Sequence, residues 1–355
     1  MIKINRKVLL GSLNVVMAAI STKSATEHQV LNFYGGRLQA TNGNVWLDTV
    51  LPEELKDLNF KVKAEPFYLL VKKLTIKEIS LDIADSVLKI IGKNIEGEFA
   101  IAPSTPTNIP QMKDSTEVPL EDLKDLAEGL KFCSLGVAPD GTVGPLSGVH
   151  ISNGGLWSCD TYRILNWKLK SNSGLDCCVP VKLIEILNSY KEEVESVRFQ
   201  AGTNYGGCFG VFLKDGTSIW AACIEGEYKD ISKFIPEEGN AEVLELSDDF
   251  IGVLDRHLSN LKDVKNSDKE VKFVVRTDAI VTSSQKFALS TESDRKLVEL
   301  VPLKVERTGE EFEFYVNPIL LKDIVGLSLN FRFFAEQGVV LFSTDQFRYL
   351  IRARG

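Results

Sequence analysis

The chain has almost none of the residue patterns that ordinarily carry catalysis. Its histidines, His28, His150 and His257, lie far apart, each without a cysteine or carboxylate at metal-ligand spacing, which argues against a zinc site. Its cysteines, Cys133, Cys159, Cys177, Cys178, Cys208 and Cys223, include no CxxC pair, and the neighbours Cys177 and Cys178 are poorly placed to bridge each other. No P-loop, GxGxxG, GxSxG or HExxH occurs, so no catalytic residue, metal or cofactor is expected. No apolar run approaches the length that spans a bilayer, which excludes a membrane partner. The first residues, Met1 to Arg6, lead directly into a patterned segment without a secretory signal, so the expectation is a cytoplasmic protein with reduced, mostly buried thiols. Nor is there an excess of positive charge. A net charge of −8 excludes a surface that coats nucleic acid as a whole, but a local basic patch on an acidic body remains compatible with it.

What is present is an ordinary globular composition, 44% hydrophobic and 25% charged, in 355 residues, too long for one core. Residues 5–20 place Leu9, Leu10, Leu13, Val16, Met17 and Ile20 on one helical stripe, after a short strand at Met1 to Asn5. Strand-like runs follow, VLNFY, RLQAT and VWLDTVLP, divided at Gly35-Gly36 and Asn42-Gly43. FKVKA then leads through Pro66 into a second helix with Phe67, Leu70, Val71 and Leu74, and ISLDI, VLKIIG and GEFAIA read as further strands. A linker rich in proline and threonine closes the section at residues 104–112.

The same programme then restarts twice. Residues 119–133 make a helix with Leu120, Leu123, Leu126, Ala127 and Leu130 on one face, and Pro180 opens a helix with Val181, Ile184 and Leu187. Strands VESVRFQ, GCFGVFL and SIWAAC follow, and residues 236–242 form a second linker. The third pass begins with Ser247 as a candidate helix cap before Phe250, Leu254, His257, Leu258 and Leu261. KFVVRT, AIVTSS, FALST and KLVELVPLKVE read as strands, Asn317 caps a helix opened by Pro318, and NFRFFAE, VVLFST and FRYLIRAR end the chain. The expected fold is therefore α+β, a unit of two helices packed on antiparallel sheets, repeated three times at roughly 110 to 130 residues. The domains expected are 1–112, 113–238 and 239–355. A head-to-tail array of such units closes into a ring if the rotation per unit allows it, and three per chain would close as a pair of chains.

The middle repeat contains the least ordinary stretch, residues 144–169, GPLSGVHISNGGLWSCDTYRILNWKL. It reads as a hairpin turning at Asn153-Gly154-Gly155, whose residues tolerate positive φ, followed by a polar break at Asp160-Thr161-Tyr162-Arg163. Two readings stand side by side: a surface corner held by a local salt bridge, or the rim of an apolar pocket that receives a partner's side chains. An enzymatic site built from Asp48, Asp160 and Asp230 is disfavoured, because these acids lie in separate segments without a basic or metal-binding companion.

Several segments together resemble one known family. GPLSGVHIS…GLWSCDTYRILNWKL is similar to the LxGV…TDGHRLA stretch of the bacterial and phage type of DNA polymerase sliding clamp, the β subunit of the replicative polymerase. VPVKLIEIL looks like that family's proline-initiated helix, and residues 224–236 are similar to its EGxYPD…IP segment. FYVNPILLKDIV resembles its GFNxxYLxDxL helix, and VVLF…FRYLIRAR its C-terminal strand pair. The resemblance implies a protein without chemistry of its own: a homodimer forming a ring of six similar domains that encircles duplex DNA without reading sequence and tethers a polymerase. An adaptor ring that recruits transcription or repair proteins would share these features.

The resemblance further implies a helix-lined channel with diffuse positive charge, for which Lys7, Lys23, Lys72, Lys73, Lys124, Lys131, Lys182, Arg256, Lys262 and Lys322 are the candidates. Acidic Glu121, Asp122, Asp125 and Glu128 would make that lining patchy. The family's pocket for short linear motifs of the polymerase and clamp loader, carried over position by position, would use Leu146, Asp160, Thr161, Tyr162, Arg163, Ile164, Pro236, Val339, Leu350, Ile351, Arg352, Ala353 and Arg354. Thr161-Tyr162 stands where the family has Gly-His, and Arg352-Ala353-Arg354-Gly355 replaces a more apolar, proline-containing tail, which leaves the peptide preference open.

Overall fold

The computed structural model describes residues 1–21, 26–107, 109, 115–118, 123–138, 141–152, 154–190, 193–202, 206–239, 241–286 and 295–354. Lys23, the expected helix start over 119–122 and the expected strand over 287–291 lie outside the described residues. The chain is α+β, with helices α1 (Arg6–Met17), α2 (Ala64–Lys73), α3 (Leu123–Ser134), α4 (Val181–Ser189), α5 (Phe250–Asn260) and α6 (Pro318–Val325) among long antiparallel ladders. No helix among the described residues is long and apolar enough to cross a membrane.

The helix starts follow local chemistry. Asn5 caps α1 by accepting from Lys7 N at 2.9 Å, and Asn317 caps α6 by accepting from Ile319 N at 3.0 Å, with Pro318 next in line. The other marker prolines sit differently from the expectation of a first helical residue. Pro180 is the residue before α4, and Pro66 is the third residue of α2. All three positions are tolerated for one reason: backbone N–H groups before the end of the first turn have no intrahelical acceptor to lose. Ser247 does not act as the side-chain cap of α5. Asp248 and Asp249 intervene before the helix, and Ser247 instead offers its carbonyl to Phe250 N at 3.1 Å.

By contacts the chain divides into two units, Met1–Glu128 with Ile151–Asn153 and Lys170–Gly226, and Gly129–His150 with Gly154–Leu169 and Glu227–Gly355. Residues of the expected middle domain, 113–238, are thus shared between them. In the first unit a twelve-stranded antiparallel sheet runs from Ile2–Asn5 at one edge to Thr116–Glu117 at the other. The strand Val45–Val50 pairs with Ser218–Ala222, with Trp46 opposite Trp220, which joins ladders far apart in sequence into one sheet. Leu9, Leu13 and Val16 of α1 and Phe67 and Val71 of α2 are buried, and Phe67 meets Phe33 and Phe99 edge-on. This is the period of 3.6 laid against a sheet face.

The second unit has two sheets. Strands Gly155–Cys159, Arg163–Trp167, Phe347–Arg352, Val339–Ser343, Asn330–Phe334 and Leu244–Glu245 are neighbours in that order, and a four-stranded sheet runs Arg295–Pro302, Ala279–Lys286, Val271–Val275, Phe312–Val316. Phe250, Phe273, Phe314, Phe331 and Phe342 fill its core, Phe273 and Phe314 stacking with centroids 5.0 Å apart. Gly155 has φ 134°, and a Cβ there would lie 2.2 Å from the Trp167 carbonyl oxygen, so this position admits only glycine.

His257 of α5 is fully buried, with Nδ1 2.8 Å from Ser284 Oγ and Nε2 2.8 Å from Thr282 Oγ1. Burial lowers its pKa below 6.5, against the opposing pull of Glu299 4.0 Å away. The unfolded chain takes up a proton near the ordinary histidine value that the folded chain takes up only at lower pH. Stability is therefore full above the unfolded value and falls as pH drops below it, with a limiting slope of about 1.4 kcal/mol per pH unit. Denaturant midpoints across this range should fall in the parent and fall less in His257→Gln; an equal fall would assign the effect to other groups.

Candidate functional site

The polar break at 160–163 is a built corner. Asp160 Oδ1 accepts from Tyr162 N at 2.8 Å and Arg163 N at 2.9 Å, and Asp160 N returns a bond to Arg163 O at 3.2 Å. This is the local turn that a short acidic side chain favours. Arg163 Nε meets Asp160 Oδ2 at 3.0 Å, so the expected salt bridge is present. The guanidinium also reaches residues distant in sequence. Its Nη1 donates to Asp323 Oδ2 on α6 at 2.6 Å and to the Tyr349 hydroxyl at 3.0 Å, and that hydroxyl donates to Leu320 O at 3.0 Å. Side-chain exposure is 14% for Arg163 and 11% for Asp160, so this pair is shielded where an ordinary surface pair is not. Burial by itself would weaken the arginine's charge, but Tyr349, Asp160 and Asp323 outweigh it and hold its pKa above the usual value. Burial pushes the Tyr349 phenol up, keeping it a neutral donor.

Strand register decides what lies on each side. Ile164 is opposite Leu350, Leu350 opposite Leu341, and Cys159 opposite Ile164. These residues share one face, and alternation puts Arg163, Leu165, Tyr349 and Ile351 on the face toward α6. On the first face, Ile164, Leu341, Leu350 and Ile231 form an apolar cluster, flanked by half-buried Trp157, Cys159, Tyr228, Ile235, Phe334 and Val339. Burial raises the Cys159 thiol to about 11, with Asp160 adding to the shift, so it stays protonated and unreactive at neutral pH.

At the end of the strand, Tyr162, Arg352, Ala353 and Arg354 line a hollow of about 280 Å³ together with Tyr315 and Leu320. Tyr162 is 49% exposed there, and its carbonyl accepts from Arg352 N at 2.8 Å. The terminal residues are held by reciprocal backbone bonds between Tyr315 and Arg354, at 2.7 and 3.0 Å, and by Arg354 Nη2 on Glu270 Oε2 at 2.8 Å. Of the other candidates, Ile164, Val339 and Leu350 belong to the neighbouring apolar cluster, and half-buried Pro236 follows Ile235 of that cluster. Thr161 is exposed at the corner, between Asp160 and Arg163, which bond each other. Ile351 is fully buried on the α6 face, and half-buried Leu146 gives its carbonyl to Ala138 N at 2.9 Å. Tyr315, Leu320, Lys269 and Ile231 were not singled out from the sequence. Their approach depends on pairing over long separations, which no local pattern signals.

The candidate channel cations among the described residues are exposed, Lys23 lying outside them. Lys7 is on α1, Lys72 and Lys73 on α2, Lys124 and Lys131 on α3, Lys182 on α4, Arg256 on α5 and Lys322 on α6; Lys262 follows α5 directly. Four are engaged by carboxylates: Lys124 with Glu128, Lys182 with Glu185, Arg256 with Glu299 and Lys322 with Asp255. Such pairs dilute the field toward solvent. The acids Asp48, Asp160 and Asp230 are each engaged by neighbours of their own. Asp48 binds Arg37 at 2.6 Å, and Asp230 holds Ser232 N at 3.0 Å. Among the described residues no group of three or more metal-ligating side chains is placed to hold an ion.

No protein-family model matches the chain, and no curated protein matches it. Solved structures do. The DNA polymerase III β chain of Streptococcus pneumoniae superposes with a TM-score of 0.79 at 18% identity, covering 100% of each chain. The Bartonella birtlesii sliding clamp bound to griselimycin gives 0.80 at 16% identity, and the Helicobacter pylori β clamp bound to a DNA ligase peptide gives 0.76 at 16%; each covers 100% of this chain and 99% of its own. The fold of the chain, over its whole length, is therefore that of the bacterial DNA polymerase III β subunit.

Proposed function

We propose that this chain is a DNA sliding clamp: a non-enzymatic processivity factor whose two copies close a ring around duplex DNA and tether a polymerase, and its loader, through short linear motifs. The observation that carries the reading is the full-length correspondence of fold, end to end, with β subunits that include two clamps solved with bound peptide ligands. In this reading the chain comprises three clamp domains, 1–112, 113–238 and 239–355, and works in the cytoplasm. The partner motif docks at the corner around Tyr162, over Ile164 and Leu350 and beside Arg352. The exposed cations on the helices make weak contacts to phosphates and none to base edges, as sliding requires.

One further observation supports a ring. The strand Arg295–Pro302 ends its sheet, and Val298 and Leu300 on it are 52% and 64% exposed. An open edge bearing large apolar side chains is a surface that another strand covers. The test is topological. Loaded on a closed DNA circle, the protein should co-elute with it through a sizing column, and it should be released when a restriction enzyme opens the circle. Release from intact circles, or retention on the linear form, would overturn the reading.

A further inference from the structure

We infer that the partner segment read by this site is acidic, and that it runs along the strand Phe347–Arg352 from the Tyr162 hollow to a second, separate groove. This rests on the partner-site reading above. The hollow at Tyr162 presents Lys269, Arg352 and Arg354 against a single acid, Glu270. Arg354 is already committed to Glu270 and lies 5.0 Å over the Tyr315 ring, and Lys269 bonds Asn266. The Arg352 side chain has no partner among the described residues, which leaves it available to a ligand carboxylate.

Along the same strand, Arg348 shares the face of Leu350 and Arg352, four residues or about 13 Å from Arg352. There a groove of about 630 Å³ is lined by Trp157, Lys168, Arg332 and Arg348, with Glu238 and Asp345 as its acids. Its interior already shows the chemistry it accepts. The Glu238 carboxylate is held by Arg332 at 2.9 Å, with Arg348 Nε 4.0 Å away, and Arg332 Nε is buried without an acceptor. Lys168 has no side-chain partner among the described residues. The two recesses together carry six cations to three acids, on a chain whose net charge is −8.

Charge complementarity thus selects an acidic occupant, and shape selects a peptide. Walled hollows with aromatic sides, Tyr162 at one end and Trp157 at the other, take side chains, whereas the phosphates of a rigid duplex do not enter them. Alongside the path, half-buried Trp157, Phe334 and Val339, which pack on the buried Ile231–Leu341–Leu350 cluster, offer apolar contact, so an extended segment with an apolar anchor and a neighbouring acidic run matches the whole path.

Three fluorescein-labelled peptides test this by anisotropy: a Leu-Phe anchor joined to a short aspartate run, the same anchor with asparagines, and the same anchor with lysines, each run placed before or after the anchor. The aspartate peptide should bind about tenfold more tightly than the asparagine peptide in one of the two orders, as expected for two or three rim ion pairs. The advantage should shrink as salt rises from about 0.05 to about 0.5 M. The double variant Lys168→Glu, Arg348→Glu should lose the aspartate advantage, leave asparagine-peptide affinity unchanged and favour the lysine peptide. Equal binding of aspartate and asparagine peptides overturns the inference and leaves the partner-site reading intact. If no peptide binds while the protein still holds circular DNA, both fail. Displacement of the aspartate peptide by a short duplex, lost in the same double variant, would assign the strip to phosphates and also overturn the inference.

Discussion

Replacing Val298 and Leu300 together by aspartate is expected to give a protein that sediments as a monomer and no longer stays on circular DNA. In the strand Arg295–Pro302, Val298 lies opposite Ser283 and Leu300 opposite Val281, and the strand's other edge carries no pairing among the described residues. Within one chain these two side chains contribute little, being mostly exposed, so the double variant should unfold at nearly the parent midpoint. In a ring they are buried by the second copy, at about 1.5 to 3 kcal/mol each, and two like charges placed there would add repulsion and desolvation on top of that loss. The dimer dissociation constant should rise by at least about a hundredfold, which sedimentation at low concentration resolves. A double variant that sediments and holds circles like the parent would remove this edge from the ring.

Arg163→Ala should lower the stability of its unit by about 3 to 5 kcal/mol, because it leaves Asp160 and Asp323 without their shared cation and Tyr349 without a donor to its oxygen. The loss is larger than for the exposed pairs on the helices, where about 0 to 1 kcal/mol is the norm. Arg163→Lys should recover only part of it, since one ammonium cannot meet Asp160, Asp323 and the Tyr349 hydroxyl in the fixed geometry that a guanidinium fork provides. Chemical denaturation of the three proteins measures both differences. A loss below about 1 kcal/mol for Arg163→Ala would mean that water satisfies the network. The same substitution should weaken peptide binding, because the corner it frees carries Tyr162, whose carbonyl anchors the Arg352 backbone.

Most of the fold was legible from short windows. The stripe Leu9, Leu13, Val16 and the cap-and-proline signal Asn317-Pro318 both correspond to helices with those residues buried or capping. Where the local reading missed, it missed by a turn. Ser247 looked like the cap of α5, but two acidic residues between it and the helix moved the start onward. The site was legible only as a list of positions. Asp160 and Arg163 stood out as charges in a half-buried strand, and their mutual bond was readable because they are three residues apart. Asp323, Tyr349 and Leu320, which make that corner rigid, lie some 160 residues or more away and left no trace near it.

The sequence by itself determined the element types, the threefold succession of helices and strands, and the presence of an unusual charged corner in the second pass. These depend on periodicity and on capping and turn chemistry, which act within one or two turns of chain. Only the tertiary structure decided which face of each strand carries what. The pairing of Arg163 with Ile351 and Ile164 with Leu350 sends the arginine toward α6 and the isoleucine into the opposite apolar cluster. It also buries Ile351 while leaving Arg348 and Arg352 on the face where a partner could meet them. A shift of register by one residue would exchange these sides completely. That choice is made by burial summed over the whole ladder, and no single segment contains it.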